Sequence, residues 1–332
     1  MKRVKRLDSI DESCFDIKDY KIDSLEALIK MTEDYATKPL PSKKHRIFLP
    51  SKMKFLPQIL DELYELKNMI GMYKLKHQIV DQILFFIQGV DEKIMLHTIL
   101  EGPPGTGKTT VSYILAKIYA KIGIFKKVKF NVVKRSDLIS EYLGGTTIKT
   151  TETLDRCKNG VILIDEAYSL GSQPGQDDMY AKECIDAINQ YLTENAEKII
   201  CIIAGYKKEL NDSFFSMNPG LRRRFPWTFN IENYTPDELS EIYYKQVREK
   251  EWDTSCPKNE ITKIISKNIS FFSGNGGDIN SIIEKSMIIN TRKKFGRENL
   301  YTIDLSDFSE AIEIFTSNKQ GNIDKPPFGI YT

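Results

Sequence analysis

The sequence predicts an α/β fold, a five-stranded parallel sheet flanked by helices and followed by a small all-helical domain, and three observations carry that prediction. Between about Leu60 and Ile231, short apolar runs alternate with amphipathic segments, the pattern of a parallel sheet covered by helices. A glycine-rich turn, Gly102-Pro-Pro-Gly-Thr-Gly-Lys-Thr109, lies between one such run and an amphipathic segment. From Thr235 onward only helical patterns remain.

Taken in order, residues 1–58 form a polar N-terminal extension broken by Pro39, Pro41 and Pro50, an arm with one short helix around Ser24 to Met31. Leu75, Ile79, Val80, Ile83, Leu84 and Ile87 then recur at helical spacing. The expected strands are Met95 to Leu100, Val128 to Val133, Val161 to Ile164, Ile199 to Ala204 and Trp227 to Ile231, each bounded by turn or polar residues. Val111, Ile114, Leu115, Ile118 and Tyr119 make one helical face, and Cys184, Ile185, Ile188 and Leu192 another, both ordinary core stripes. Thr235-Pro-Asp-Glu238 combines a capping box with proline at the first helical position, so a helix and a new domain start there. Further helices follow Asp278 and Asp304, and a polar tail with Pro326-Pro327 closes the chain. The expected organisation is 1–58 extension, 59–233 α/β domain, 234–315 helical domain and 316–332 tail.

Bulk properties narrow the class of function. Hydrophobic residues at 41% and charged residues at 28% suit a folded globular chain. Forty-eight lysines and arginines nearly cancel 46 acids, so no strong field favours nucleic acid or anionic lipid. The five cysteines are scattered without a CxxC pair, and the three histidines lack metal-ligand spacing. No apolar stretch is long enough to span a bilayer, and the start MKRVKRLDSIDE lacks the apolar core of a secretory signal. A soluble intracellular protein in a reducing compartment, most simply the cytoplasm, is expected.

The remaining motifs carry chemistry. Residues Gly102, Pro103, Pro104, Gly105, Thr106, Gly107, Lys108, Thr109 and Thr110 fit the P-loop (Walker A) pattern GxxxxGK[ST]. Backbone N–H groups of such a loop wrap phosphates, Lys108 reaches the outer ones, and the Thr109 hydroxyl can hold Mg²⁺. A glycine-rich turn of purely structural use would need neither the lysine nor the hydroxyl. Val161-Ile-Leu-Ile-Asp165-Glu166 is an apolar strand ending in two acids, a Walker B element in which Asp165 orders the metal and Glu166 orients the attacking water. A helix start enriched in acids would explain the charge but not its place behind a buried strand. In Asn218-Pro-Gly-Leu-Arg222-Arg223-Arg224-Phe225, three arginines precede the last strand, suited either to phosphate charge developing in a neighbouring subunit or to a solvated basic turn.

GPPGTGKTT, EYLGGTTIKT, GVILIDEAYSL, IAGYKKEL and NPGLRRRF followed by NYTPDEL together make residues Leu60 to Ile314 resemble the AAA+ family of CbbX/CfxQ (red-type Rubisco activase) and stage V sporulation protein K. The resemblance implies a P-loop AAA+ sheet with a helical lid, and an ATPase acting as a ring, with six members suggested. It implies that Ile70 and Gly71 lie against the adenine and that Tyr206 fills the slot usually held by the first-sensor asparagine. Arg224, with Arg222 in support, would be the finger reaching the adjacent subunit. Tyr142, Leu143 and Gly144 would form the pore loop that grips a polypeptide client; without the resemblance, Tyr142 reads as a packed loop tyrosine. The chain departs from the family at Gly274-Asn-Gly-Gly-Asp-Ile-Asn280, where glycine or asparagine replaces the second-sensor arginine.

The leading expectation is an ATP-driven protein remodeller or threading motor, with no membrane association. A DNA-directed AAA+ ATPase of clamp-loader or branch-migration type is the alternative, and the neutral charge balance and aromatic pore loop speak against it. A small-molecule kinase would leave the arginine turn and helical lid unexplained.

Overall fold

A computed structural model of the chain describes residues 14–40, 49–89, 95–125, 129–142, 144–172, 178–296 and 301–323. Its contacts group into two units, Met1–Leu100 with Thr109–Phe229, and Glu101–Lys108 with Asn230–Thr332.

In the first unit, helix α1 (Leu25–Thr37) starts where the Ser24 hydroxyl accepts the Ala27 N–H at 3.2 Å. It runs beyond the expected end at Met31. Leu25, Leu28, Ile29 and Met31 are buried, and α1 packs on α2 (Leu60–Lys67) and α3 (Tyr73–Gln88). The segment expected to be a polar arm therefore contributes to this unit's core, because four large apolar side chains on one helix face are costly to leave in water. Phe15 joins it, with Tyr20 and Tyr35 ring centroids 5.5 and 5.3 Å away.

The sheet contains β1 (Thr98–Glu101), β2 (Lys129–Val133), β3 (Gly160–Ile164), β4 (Ile199–Gly205) and β5 (Trp227–Asn230) in the order β2-β3-β4-β1-β5. It is parallel, with Ile164 paired to Val133 on one side and Ile203 on the other. β3 and β4 are buried throughout, as central strands covered on both faces must be. Helices α4 (Lys108–Lys121), α5 (Arg135–Leu138), α6 (Thr146–Arg156), α7 (Met179–Glu194) and α8 (Lys207–Glu209) lie between the strands, and α8 runs into a π-helical turn, Leu210–Phe215. The two apolar stripes anticipated on α4 and α7 are buried. Each expected strand is present with ends shifted by a few residues; Val128 lies outside the described residues.

In the second unit, α9 (Pro236–Glu249) begins at the expected box, the Thr235 hydroxyl accepting the Glu238 N–H at 3.3 Å while the Glu238 carboxylate accepts the Thr235 N–H at 2.8 Å. α10 (Lys258–Lys267), α11 (Asn275–Lys293) and α12 (Leu305–Ile323) pack around Tyr243, Ile279, Ile282, Ile283 and Phe308. The unit is not wholly helical as expected: β6 (Asp253–Thr254) and β7 (Thr302–Ile303) form a short parallel pair. α11 starts three residues before Asp278, whose carboxylate accepts the Gly274 N–H at 2.6 Å from inside the first turn. α12 starts after Asp304, as anticipated, and carries helix through 316–323, within the segment expected to be a polar tail. Pro326-Pro327 lies outside the described residues.

Candidate nucleotide site

Within the second unit, the GPPGTGK loop turns back on itself. Gly105 (φ 67°) and Gly107 (φ 85°) adopt left-handed backbone that other residues rarely take, the geometry that gathers successive N–H groups into an anion-binding concavity. The Lys108 ammonium and Thr106 hydroxyl both donate to the Pro103 carbonyl, at 2.6 and 2.8 Å. Lys108 opens α4, so its stem is anchored at a helix N-terminus.

Within the first unit, the next residue along the chain meets the Walker B acid. The Thr109 hydroxyl donates to Asp165 Oδ2 at 2.6 Å, and Asp165 Oδ1 accepts the Glu166 N–H at 2.9 Å. Two oxygens so joined form the kind of donor pair that a hard divalent cation takes. Glu166 is exposed and stands in left-handed conformation (φ 51°, ψ 43°), unusual for glutamate and a backbone cost that typically collects at functional sites. That twist turns the chain off β3 into the short 3₁₀ turn Ala167–Leu170 and leaves the carboxylate at the strand's end. Glu166 thus lies exposed just past the end of β3.

Tyr206 follows β4 and stacks on Tyr168, ring centroids 5.2 Å apart and planes 18° off parallel. Burial, then the nearby Glu166 carboxylate, push the Tyr168 phenol well above its ordinary pKa, so it stays a neutral hydrogen-bonding group. The Ser213 hydroxyl, on the π-helical turn, donates to the Tyr168 carbonyl at 3.0 Å. Tyr168 was absent from the sequence-based candidates; its place two residues after Glu166 was the available signal.

The arginines differ in their surroundings. Arg222 donates to Asn211 Oδ1 at 2.7 Å, and its guanidinium lies 5.0 Å from the centre of the Phe215 ring, which holds it inward. Arg224 Nε is buried and has no hydrogen-bond partner among the described residues. Ile70 and Gly71 lie in a tight connection in which Gly71 (φ 64°) and Met72 (φ 57°) are consecutively left-handed, pinned by the Lys76 ammonium on the Met69 and Lys67 carbonyls at 2.6 and 3.2 Å. Tyr142 is 78% exposed, so it is not the packed loop tyrosine that its sequence context alone suggests; Gly144 is left-handed at φ 76°, and Leu143 lies outside the described residues. Gly274 to Asn280 runs into α11 without an arginine, and Arg292 on the same helix pairs with Glu310 at 2.6 Å.

A strand feeding a glycine-rich loop and helix, with another strand of the same sheet ending in acids, defines a P-loop nucleoside triphosphatase. The family described as ATPase family associated with various cellular activities (AAA) matches residues 98–233. The cfxQ-like protein R730 of Acanthamoeba polyphaga mimivirus is 36% identical over 266 residues, 78% of this chain and 65% of that protein. Stage V sporulation protein K of Bacillus subtilis is 30% identical over 263 residues, 74% of this chain and 81% of that protein. The chain belongs to the AAA family of ATPases, alongside these CfxQ-like and stage V sporulation K relatives. It spans 65% of the mimivirus relative's length and 25% of the ESX-1 secretion system protein EccA1 of Mycolicibacterium smegmatis. A solved Thermotoga maritima RuvB mutant superposes with a TM-score of 0.54 at 17% identity, covering 75% of this chain and 71% of that one, a likeness of fold alone.

Proposed function

We propose that the chain uses ATP hydrolysis, in a ring of identical subunits, to remodel or thread a protein client. The observation that carries the catalytic part is the Thr109–Asp165 contact of 2.6 Å with Glu166 next in sequence. In this reading Thr109 and Asp165 hold Mg²⁺, which when bound neutralises phosphate charge. Loop N–H groups and Lys108 grip the phosphates, Ile70 and Gly71 border the base, and Glu166 orients water in line with the terminal phosphate. Arg224, rather than the inward-held Arg222, reaches into the neighbouring subunit. Lys108→Ala should abolish nucleotide binding. Glu166→Gln should keep binding and lose turnover by about a hundredfold or more, the scale of a positioned general base. ATP turnover unchanged in either variant refutes the assignment.

The exposed Tyr142 supports a polypeptide as client, since an aromatic ring offers contact area at low entropic cost. Tyr142→Ala should leave basal hydrolysis intact and remove stimulation by clients captured on the Glu166→Gln trap. Salt-sensitive DNA binding with DNA-stimulated turnover would instead favour a DNA-directed motor.

A further inference from the structure

The missing second-sensor arginine raises the question of what joins the glycine-rich loop to the helical part of its unit. Three consecutive loop carbonyls answer it. Pro104 O accepts from Asn275 Nδ2 at 3.1 Å, Gly105 O accepts from the Gly276 N–H at 3.1 Å, and Thr106 O accepts from the Tyr234 hydroxyl at 3.0 Å. Asn275 is 1% exposed and fully engaged: Nδ2 also donates to Asn233 Oδ1 at 3.0 Å, and Oδ1 accepts the Tyr234 N–H at 3.0 Å. It takes a left-handed conformation (φ 48°) that asparagine tolerates better than most residues. The approach is backbone to backbone. A Cβ on Gly105 would lie 1.9 Å from the Gly274 carbonyl oxygen, so neither an alanine nor a larger residue fits there.

In a trans peptide the carbonyl and the following N–H point in opposite directions. Tying the carbonyls of residues 104, 105 and 106 on one side therefore aims the N–H groups of Gly105, Thr106 and Gly107 toward the other, the arrangement that binds phosphate oxygens. We infer that Asn275, with Tyr234 and the Gly276 amide, is the positioning residue of the phosphate-binding loop, ordering its N–H groups from behind where the family's arginine would act on the nucleotide itself. Asn275 touches no phosphate in this scheme; it acts through the backbone of residues 104 to 106. The helical part is thereby coupled to nucleotide without a charged contact, because any rotation of those three peptide units must break the hydrogen bonds to α11 and Tyr234.

The inference rests on the reading that the loop cups phosphates, and the test separates the two. Mg·ADP affinity of the full-length chain is measured by calorimetry, with ATP turnover and melting temperature alongside, for Lys108→Ala, Asn275→Gly and Tyr234→Phe. Glycine accepts the left-handed backbone, so Asn275→Gly deletes the side chain without strain. It should weaken Mg·ADP binding about tenfold, and Tyr234→Phe about threefold, the scale of one or two lost hydrogen bonds. KM for ATP should rise more than kcat falls, and the rise in melting temperature on adding Mg·ADP should shrink. If both variants bind Mg·ADP within twofold of wild type while Lys108→Ala does not bind, the positioning role is wrong and the phosphate reading stands. If Lys108→Ala binds as wild type does, both are wrong. A melting temperature lowered without nucleotide at unchanged affinity marks a purely structural contact and also overturns the inference.

Discussion

His97 is a histidine buried within the first unit. It directly precedes β1, is fully buried, accepts the Cys201 N–H on Nδ1 at 3.0 Å, and lies against Phe225, ring centroids 5.7 Å apart. Burial pushes its pKa down from 6.5 to about 4. The native state therefore refuses a proton that the unfolded chain accepts, so stability is complete above pH 6.5 and is lost as pH falls from there to about 4. The loss amounts to roughly 3 kcal/mol over that window, each pKa unit being worth about 1.4 kcal/mol. Urea midpoints measured across it should fall steeply for the wild type and less for His97→Gln, which keeps a neutral hydrogen-bonding group but cannot titrate. Equal slopes would remove the account. At this scale the Walker residues were legible because phosphate chemistry needs rare residue types at fixed spacing, as Lys108, Thr109 and Asp165 show. Asn275 was not: an asparagine among glycines reads as a turn, and its partners are distant in sequence, Asn233 and Tyr234 lying 42 and 41 residues before it and Pro104 171 residues before it.

At the scale of elements, legibility follows the strength of the local signal. The box at Thr235 could be read because both of its hydrogen bonds are made within four residues. Thr235→Ala removes the acceptor for the Glu238 N–H and should lower stability by about 1 kcal/mol, seen as a lower urea midpoint at unchanged slope. Central strands β3 and β4 announced themselves as continuous apolar runs. Two-residue strands such as β6 and β7 have no periodicity to detect, and the order β2-β3-β4-β1-β5 is a tertiary fact that no single run encodes. The expected end of α1 at Met31 falls just before three polar residues, Thr32, Glu33 and Asp34. In the fold the Thr32 hydroxyl is satisfied by the Leu28 carbonyl at 2.7 Å, and the helix continues.

At the scale of the whole molecule, the proposed ring makes a demand that no single subunit can meet. If Arg224 acts on the neighbouring subunit, each active site takes its loop and acids from one chain and its arginine from the next, a head-to-tail arrangement. Arg224→Ala should then bind ATP normally and lose turnover by about a thousandfold, the lower range for such fingers. Lys108→Ala should be equally inactive for the opposite reason, retaining a sound arginine beside a loop that cannot grip phosphate. Mixed and allowed to reassemble, the two inactive proteins complement each other wherever an Arg224→Ala subunit receives the arginine of a Lys108→Ala neighbour. In a random equal mixture that holds at about a quarter of the interfaces, so turnover should recover to about a quarter of the wild-type rate. An arginine acting within its own chain predicts no recovery at any mixing ratio. Native mass spectra of the mixture, which must contain both chains in one closed oligomer, distinguish that outcome from a failure to exchange subunits.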